Sequence, residues 1–338
     1  MKIRSIVSHA ILLCSLVLAL NAAVIVAASA TQDKTAKPTV PDAELKAAKA
    51  VELAKDVNAK FLAAEEFVKK YPASKARPQV AEYTASQLFG VTDATQRVTL
   101  GQKYLTLFPD LKEAQLVKPT MIDAYVQLNR VDEAFDTAAT YLANDAEDVQ
   151  VRVILAIAGA ELARAQNVKH MKASREYGLK AIELIEADKK PAALAADAWV
   201  KEKAMLPTLH QQMGVMALIE QKATDAQASL EKAAKLNPAD PFNHALLGSI
   251  TNGEYQQLAQ TARGLPEGKS KDELVKKANT LLDKVIEHYA QAVALATGKP
   301  QYKPLADQVM LDLTTYYKYR HNNSVEGLQK YIDGYKLP

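Results

Sequence analysis

Four stretches of this chain hold residue types that can do chemistry. The first is GLPEGKS, Gly264 to Ser270. A phosphate-cradling loop needs two glycines separated by four residues, so that backbone N–H groups wrap the phosphates at the end of a strand. Here three residues separate Gly264 from Gly268 and no strand pattern precedes them, so the stretch is expected to be a solvated turn. Ser270, with Glu273 three residues on, predicts the start of the next helix. The second is the histidine set beyond the first thirty residues: His170, His210, His244, His288 and His321. None shares the short spacing of a helical metal site and no HExxH occurs. His210 and His244 lie 34 residues apart and are expected to be equivalent packing positions in successive repeats. The third is Tyr316, Tyr317, Tyr319, Arg320 and His321, residue types that stack on sugars or bases. On a helix, Leu313, Tyr316 and Tyr317 share one face, which predicts core, while Tyr319 and Arg320 turn away as rim. The fourth is the carboxylate pair Glu65–Glu66. Lys69 and Lys70 follow it, the pattern of ion pairs along a helix face. None of the four predicts catalysis, and the sequence implies no catalytic residue, no cofactor and no metal site.

The elements that must carry these residues are helices. The 338 residues are 49% hydrophobic and 24% charged, with only 12 Gly and 14 Pro, and Ala is abundant. Ala has the best helix propensity because it loses no side-chain entropy. No stretch alternates apolar and polar residues over β-branched types, so no strand is expected. A basic start (Lys2, Arg4), an apolar run from Ile11 to Ala28 broken by Asn21, and Ala28-Ser29-Ala30 form the pattern of a cleaved secretory leader. The expectation is a signal peptide over 1–30, with an uncleaved membrane anchor as the alternative reading. Cys14 is the only cysteine and lies within that run, so the chain beyond it has no thiol chemistry. Lys2 and Arg4 also leave with the leader, which lowers the formal net charge from +3 to about +1. No basic field remains to attract nucleic acid. Residues 31–43, with Pro38 and Pro41, read as a flexible linker, and Asp42 as the cap of the first helix.

From residue 44 onward the chain repeats. Glu44 to Tyr71 reads as one helix, with Val51, Ala54, Val57, Phe61, Ala64 and Val68 at three- and four-residue spacing. It ends at Tyr71-Pro72, and 37 residues later another helix ends at Phe108-Pro109, since Pro cannot continue a helix. A period of that length is the mark of a stacked array. The next pair is expected over 120–128 and 132–142, turning at Asn129-Arg130. A helix from Ala192 to Met205 leads into the best-formed unit, Pro207 to Pro238. Trp199 is expected to anchor helix packing. After Asn252 some twenty extra residues interrupt the pattern, and Tyr289 and Ala292 resume it.

The Pro207 unit resembles the tetratricopeptide repeat. His210, Met213-Gly214, Ala217, Ala226, Leu230, Ala233 and Pro238 hold that repeat's places at its spacings. Phe242, His244 and Leu247-Gly248 begin the following unit, and Met121, Tyr125, Ala134, Ala138 and Tyr141 match an earlier one. Gly327, Tyr331 and Gly334 resemble a last half-repeat. The stretch AAEEFVKKYPASKARPQVAEY is similar to repeats of bacterial envelope proteins. The resemblance implies an all-α, right-handed superhelical solenoid over 44–338, with an insertion near 252–271. It further implies a non-catalytic protein that binds a partner peptide or helix on a concave face lined by the first helix of each pair. By the same resemblance Gln211, Val215, Leu218, Ala245, Ser249 and Asn252 face that groove. The implied location is the periplasm or outside of a bacterial cell, with membrane contact only if the leader is retained. The alternative reading is a helical accessory domain of an envelope enzyme or polysaccharide-processing system.

Overall fold

The computed structural model describes residues 40–192 and 194–337; the expected signal peptide and most of the expected linker lie outside them. Among the described residues the regular structure is helical, and the expected absence of strands holds there. The α-helices are α1 (Asp42–Leu53), α2 (Val57–Lys70), α3 (Arg77–Leu88), α4 (Ala94–Leu107), α5 (Lys118–Gln127), α6 (Val131–Leu142), α7 (Val149–Arg164) and α8 (Met171–Glu186). They continue as α9 (Ala196–Ala204), α10 (Leu206–Ile219), α11 (Ala223–Leu236), α12 (Pro241–Arg263), α13 (Lys269–Ala296), α14 (Lys303–Arg320) and α15 (Leu328–Asp333). Contacts divide them into two units, one of residues 40–158 with 188–199, the other of 159–187 with 200–337.

The chain turns with recurring backbone devices. Tyr71, Phe108 and Asn237 close α2, α4 and α11 with φ near −130°, and each donates its N–H to the carbonyl four residues back. Each precedes a proline, whose ring drives its predecessor out of the helical region. The turn within a pair uses a different device. Asn129, Gln166 and Gln221 take left-handed φ values of 56°, 70° and 61°. After them the N–H groups of Arg130, Asn167 and Lys222 reach back to the carbonyls of Tyr125, Leu162 and Ala217 at 2.8, 2.9 and 2.8 Å. This is the Schellman closure, which satisfies carbonyls that a helix end leaves open. Asn129 and Gln166 are one period of 37 residues apart, so the repeat is written in the caps as well as in the prolines. A side chain in the left-handed region is unfavourable by about 1 kcal/mol or more, and glycine removes that cost. Gln221→Gly should therefore raise the urea midpoint, by roughly 0.5–1 kcal/mol after the added freedom of the unfolded chain is set against it.

Packing follows the expected small-residue pattern. Ala226, Leu230 and Ala233 are fully buried on α11, and Ala217 is almost so on α10. A Cβ placed on Gly214 would stand 2.6 Å from Leu230 Cγ, so only glycine lets α10 and α11 close at that point. On α5 and α6 Met121, Tyr125, Ala134, Ala138 and Tyr141 are all buried, as their spacing predicts. Trp199 is buried and its indole N–H donates to Asp188 at 2.9 Å.

Several boundaries differ from the sequence expectation. The first helix begins at Asp42, with Pro41 rather than Asp42 in the cap position. The single helix expected over 44–71 is two, because Ala54 turns extended and Asp56 accepts from the N–H of Ala59 to start α2 anew. An N-cap of this kind contributes about 1 kcal/mol and competes with continuation of the helix. The helix expected to run to Met205 starts at Ala196 and stops at Ala204, and α10 begins immediately with Pro207 in its first turn. Glu65 pairs most closely with Lys103 on α4, whose ammonium holds the Glu65 carboxyl below its usual range, and Lys69 one turn along its own helix acts in the same direction.

Residues 252–271 are mostly helix. α12 runs twelve residues past Thr251 to Arg263, and α13 starts at Lys269. The extra residues lengthen both members of one pair into an antiparallel hairpin. Leu258, Ala262, Leu265, Leu274 and Ala278 are buried or half-buried along this extension, at helical spacings, while their neighbours are largely exposed. The hairpin turns at Gly268, whose φ of 146° excludes other residues without strain.

Candidate functional site

The GLPEGKS stretch is the tip of that hairpin. It follows a helix rather than a strand, and α13 is capped by Gly268 rather than by Ser270, without any side-chain cap bond. Nothing in this arrangement resembles a strand-to-helix phosphate cradle.

The six residues expected to face a groove lie in the second unit, on α10 and α12. Val215 and Ala245 are 3% and 0% exposed and belong to core clusters, Val215 with Leu230, Leu246 and Ile250, Ala245 with Tyr289 and Val293. Asn252 is also buried, with Gln256 at 3.5 Å. Gln211, Leu218 and Ser249 are half-buried. The Gln211 amide donates to Asp240 at 2.8 Å and to Asn243 at 2.9 Å, which ties α10 to the start of α12. The first helices of these successive pairs therefore touch along one side, and the accessible part of the six is the strip past Gln211, Leu218 and Ser249.

Farther along the same side the surface becomes aromatic. Tyr255 on α12 meets Tyr316 on α14 edge to face at 6.0 Å, and Tyr316 lies parallel to the buried Tyr289 at 6.5 Å. Gln256 donates to the Tyr316 hydroxyl at 3.4 Å. Burial, together with Tyr319 and Tyr316 nearby, raises the Tyr255 hydroxyl above its ordinary range. Tyr319 itself is 68% exposed. Arg320 forms a two-pronged bond with Asp283 of α13, at 2.7 and 3.0 Å, which fixes the guanidinium at the edge of the patch. Three tyrosine rings, a side-chain amide and a positioned guanidinium thus converge where the lengthened part of α12 passes α14. The sequence showed Tyr316, Tyr319 and Arg320 but not Tyr255 or Gln256, which lie in the stretch read as an insertion. Tyr317 went to the core, as its face predicts: it is buried, stacks on His321 at 3.8 Å and donates to the carbonyl of Glu326.

The histidines separate. His210 is 4% exposed and its Nε2 sits 3.3 Å from Glu186, which Lys232 also approaches at 3.6 Å. His244 faces His288 instead, with ring centroids 5.8 Å apart. Among the described residues no three His, Cys, Asp or Glu side chains converge on a metal position. Burial, then the Lys232 charge, holds His210 below its ordinary pKa, and Glu186 opposes them only in part. The folded state then binds fewer protons than the unfolded chain, whose imidazole titrates near 6.5, roughly. His210 leaves stability intact above that pH and erodes it as the pH falls below. The urea midpoint should drop from pH 7.5 to pH 5.5, and the drop should be smaller in His210→Gln.

No family model matches this chain, and no curated protein matches it. Among solved structures it is similar to a tetratricopeptide repeat protein from Parabacteroides merdae, with 11% identity, 79% of this chain and 96% of that chain covered, and a TM-score of 0.35. The fold is an all-α array of helix pairs. Its helix pairs close through shared caps and close glycine contacts. Among the described residues no helix is long and apolar enough to cross a membrane.

Proposed function

We propose that this protein is a non-catalytic interaction or scaffolding protein, exported to the bacterial cell envelope. It would hold a peptide or helix of a partner protein along the first helices of its C-terminal pairs. The observation that carries the reading is the gathering of Tyr255, Tyr316 and Tyr319 with Gln256 and Arg320 beside the strip of Gln211, Leu218 and Ser249. Tyrosine and arginine are enriched among the residues that carry binding energy at protein interfaces: tyrosine joins a large ring to a polar end with few rotamers to fix, and Arg320 is already held by Asp283. Gln256 adds an amide that can match the backbone of an extended segment. In this reading Val215, Ala245 and Asn252 form the floor of the path rather than its contacts. Export is supported by the basic start, the apolar run and Ala28-Ser29-Ala30, all outside the described residues.

Photo-crosslinking in envelope fractions tests the proposal. A benzophenone side chain at Leu218, Ser249 or Tyr319 should capture a common partner, one at Lys232 or Lys276 on the second helices should not, and Tyr255→Ser with Tyr316→Ser should abolish capture at Ser249. Equal capture from both sides, or capture indifferent to the tyrosines, would overturn the assignment. N-terminal sequencing of the exported protein tests the leader: a start at Met1 rules out cleavage.

A further inference from the structure

Three polar atoms at the base of the long hairpin are buried without a hydrogen bond of ordinary geometry: Nδ1 of His244, Nδ1 of His288 and Oε1 of Gln291, and the Gln291 side chain interacts with His244. Buried polar groups of this kind are almost always satisfied, so three in one place call for an occupant. Their placement follows from the helix register. A Cβ on Gly248 would touch the Tyr289 ring at 2.5 Å and His288 Cβ at 3.3 Å, so α12 and α13 are closest there. One turn back along α12 is His244. One turn onward along antiparallel α13 is Gln291. The two imidazoles face each other with centroids 5.8 Å apart and planes inclined by 35°. The Gln291 amide nitrogen points to Glu287 at 3.4 Å, which leaves its oxygen for the histidines.

We propose that His244, His288 and Gln291 form a binding site for a divalent transition-metal ion of the zinc class, with two imidazole nitrogens and one amide oxygen as ligands and water completing the shell. Two rings bound through nitrogen to one zinc ion, at bonds of about 2.0–2.1 Å, hold their centroids roughly 5–6 Å apart. The observed separation falls in that range with no backbone movement. Imidazole is the ligand that zinc, nickel and copper share, and it binds in its neutral form. Burial, and for His244 the neighbouring His288, hold both rings below their ordinary pKa. The charged groups that act on the pair are Asp240 and Glu287 at His244, with Glu231 and Lys284 at His288. Three carboxylates against one ammonium favour a cation. The ion would bridge α12 and α13 at the root of the hairpin, so binding stabilises the fold by mass action.

The test uses the untagged full chain, stripped with chelator and desalted. Cobalt(II) titration should give visible d–d absorption that saturates near one equivalent, and zinc should displace it and raise the melting temperature. His244→Gln and His288→Gln should each weaken binding at least tenfold while the metal-free circular dichroism spectrum stays that of the wild type. Gln291→Glu, which replaces the amide oxygen with a carboxylate, should tighten it, and His321→Gln should leave it unchanged. A wild type that takes up no cobalt or zinc at millimolar concentration overturns the proposal, since a bridging water then satisfies the three atoms. So does uptake that survives both histidine substitutions, or a Gln291→Glu variant that stays folded and binds no better.

Discussion

Asp123→Ala should lower the stability of the N-terminal unit by about 3–5 kcal/mol, the usual cost of leaving one member of a buried ion pair alone. Arg97 on α4 and Asp123 on α5 are 8% and 6% exposed, and Arg97 Nη1 donates to the carboxylate at 2.6 Å. Gln127 completes a closed ring of bonds: it accepts from Arg97 Nη2 at 2.9 Å and donates to Asp123 at 2.7 Å. Alanine at 123 leaves the guanidinium in the core with one partner, the Gln127 carbonyl. Water cannot replace the lost anion without opening the α4–α5 contact. Hydrogen exchange should show α4 and α5 losing protection together, and the urea midpoint should fall. The control is Arg97→Met with Asp123→Leu, which removes both charges and fills the space. It should recover most of the loss, because desolvating the pair offsets most of its attraction. If the single substitution costs less than 1 kcal/mol, the pair is open to solvent and the account is wrong.

Two glycines five residues apart on α12 should respond to alanine with opposite signs. At Gly248 the new Cβ would lie 2.5 Å from Cδ1 and Cε1 of Tyr289, a ring 1% exposed and stacked on Tyr316. A ring held in this way cannot swing aside, so the helices must part. Overpacking of this kind costs about 1–3 kcal/mol or more, against the roughly 1 kcal/mol that Ala gains over Gly in a helix. Gly248→Ala should therefore be net destabilising by about 2 kcal/mol. Gly253 has nothing within 4 Å of its would-be Cβ. There the helix-propensity gain stands alone, and Gly253→Ala should stabilise by about 1 kcal/mol. Gly101 provides an intermediate case. Its Cβ would also stand at 2.5 Å, but from Cγ and Sδ of Met121, an unbranched side chain that can change rotamer. Gly101→Ala should cost less than Gly248→Ala. Urea melts of the three variants check the order, and a Gly248→Ala variant as stable as the wild type would remove the close helix contact from the account.

The sequence by itself determined what depends on local chemistry and on period. Proline after an aromatic marked the ends of α2 and α4, because ring sterics act on the adjacent residue alone. Gly214, Ala226, Leu230 and Ala233 announced a close helix pair, because only small side chains permit that approach wherever it occurs. Asn129-Arg130 marked a turn. What only the tertiary structure decided involves partners far apart in the chain. Asp123 interrupts the apolar run Met121–Tyr125, a visible signal, yet its cation stands 26 residues away and the spacing carries no trace of it. His210 and His244 share a repeat position, but one meets Glu186 and the other His288, because the neighbouring helices differ. The interruption after Asn252 became two helix extensions because Leu258, Ala262, Leu274 and Ala278 can bury one another only across the hairpin. A pattern of half-buried residues on two strands of sequence becomes a seam only when the chain turns back on itself. Tyr255 and Gln256 meet Tyr316 for the same reason, so the surface proposed to hold a partner is made by the part of the chain that departs from the repeat.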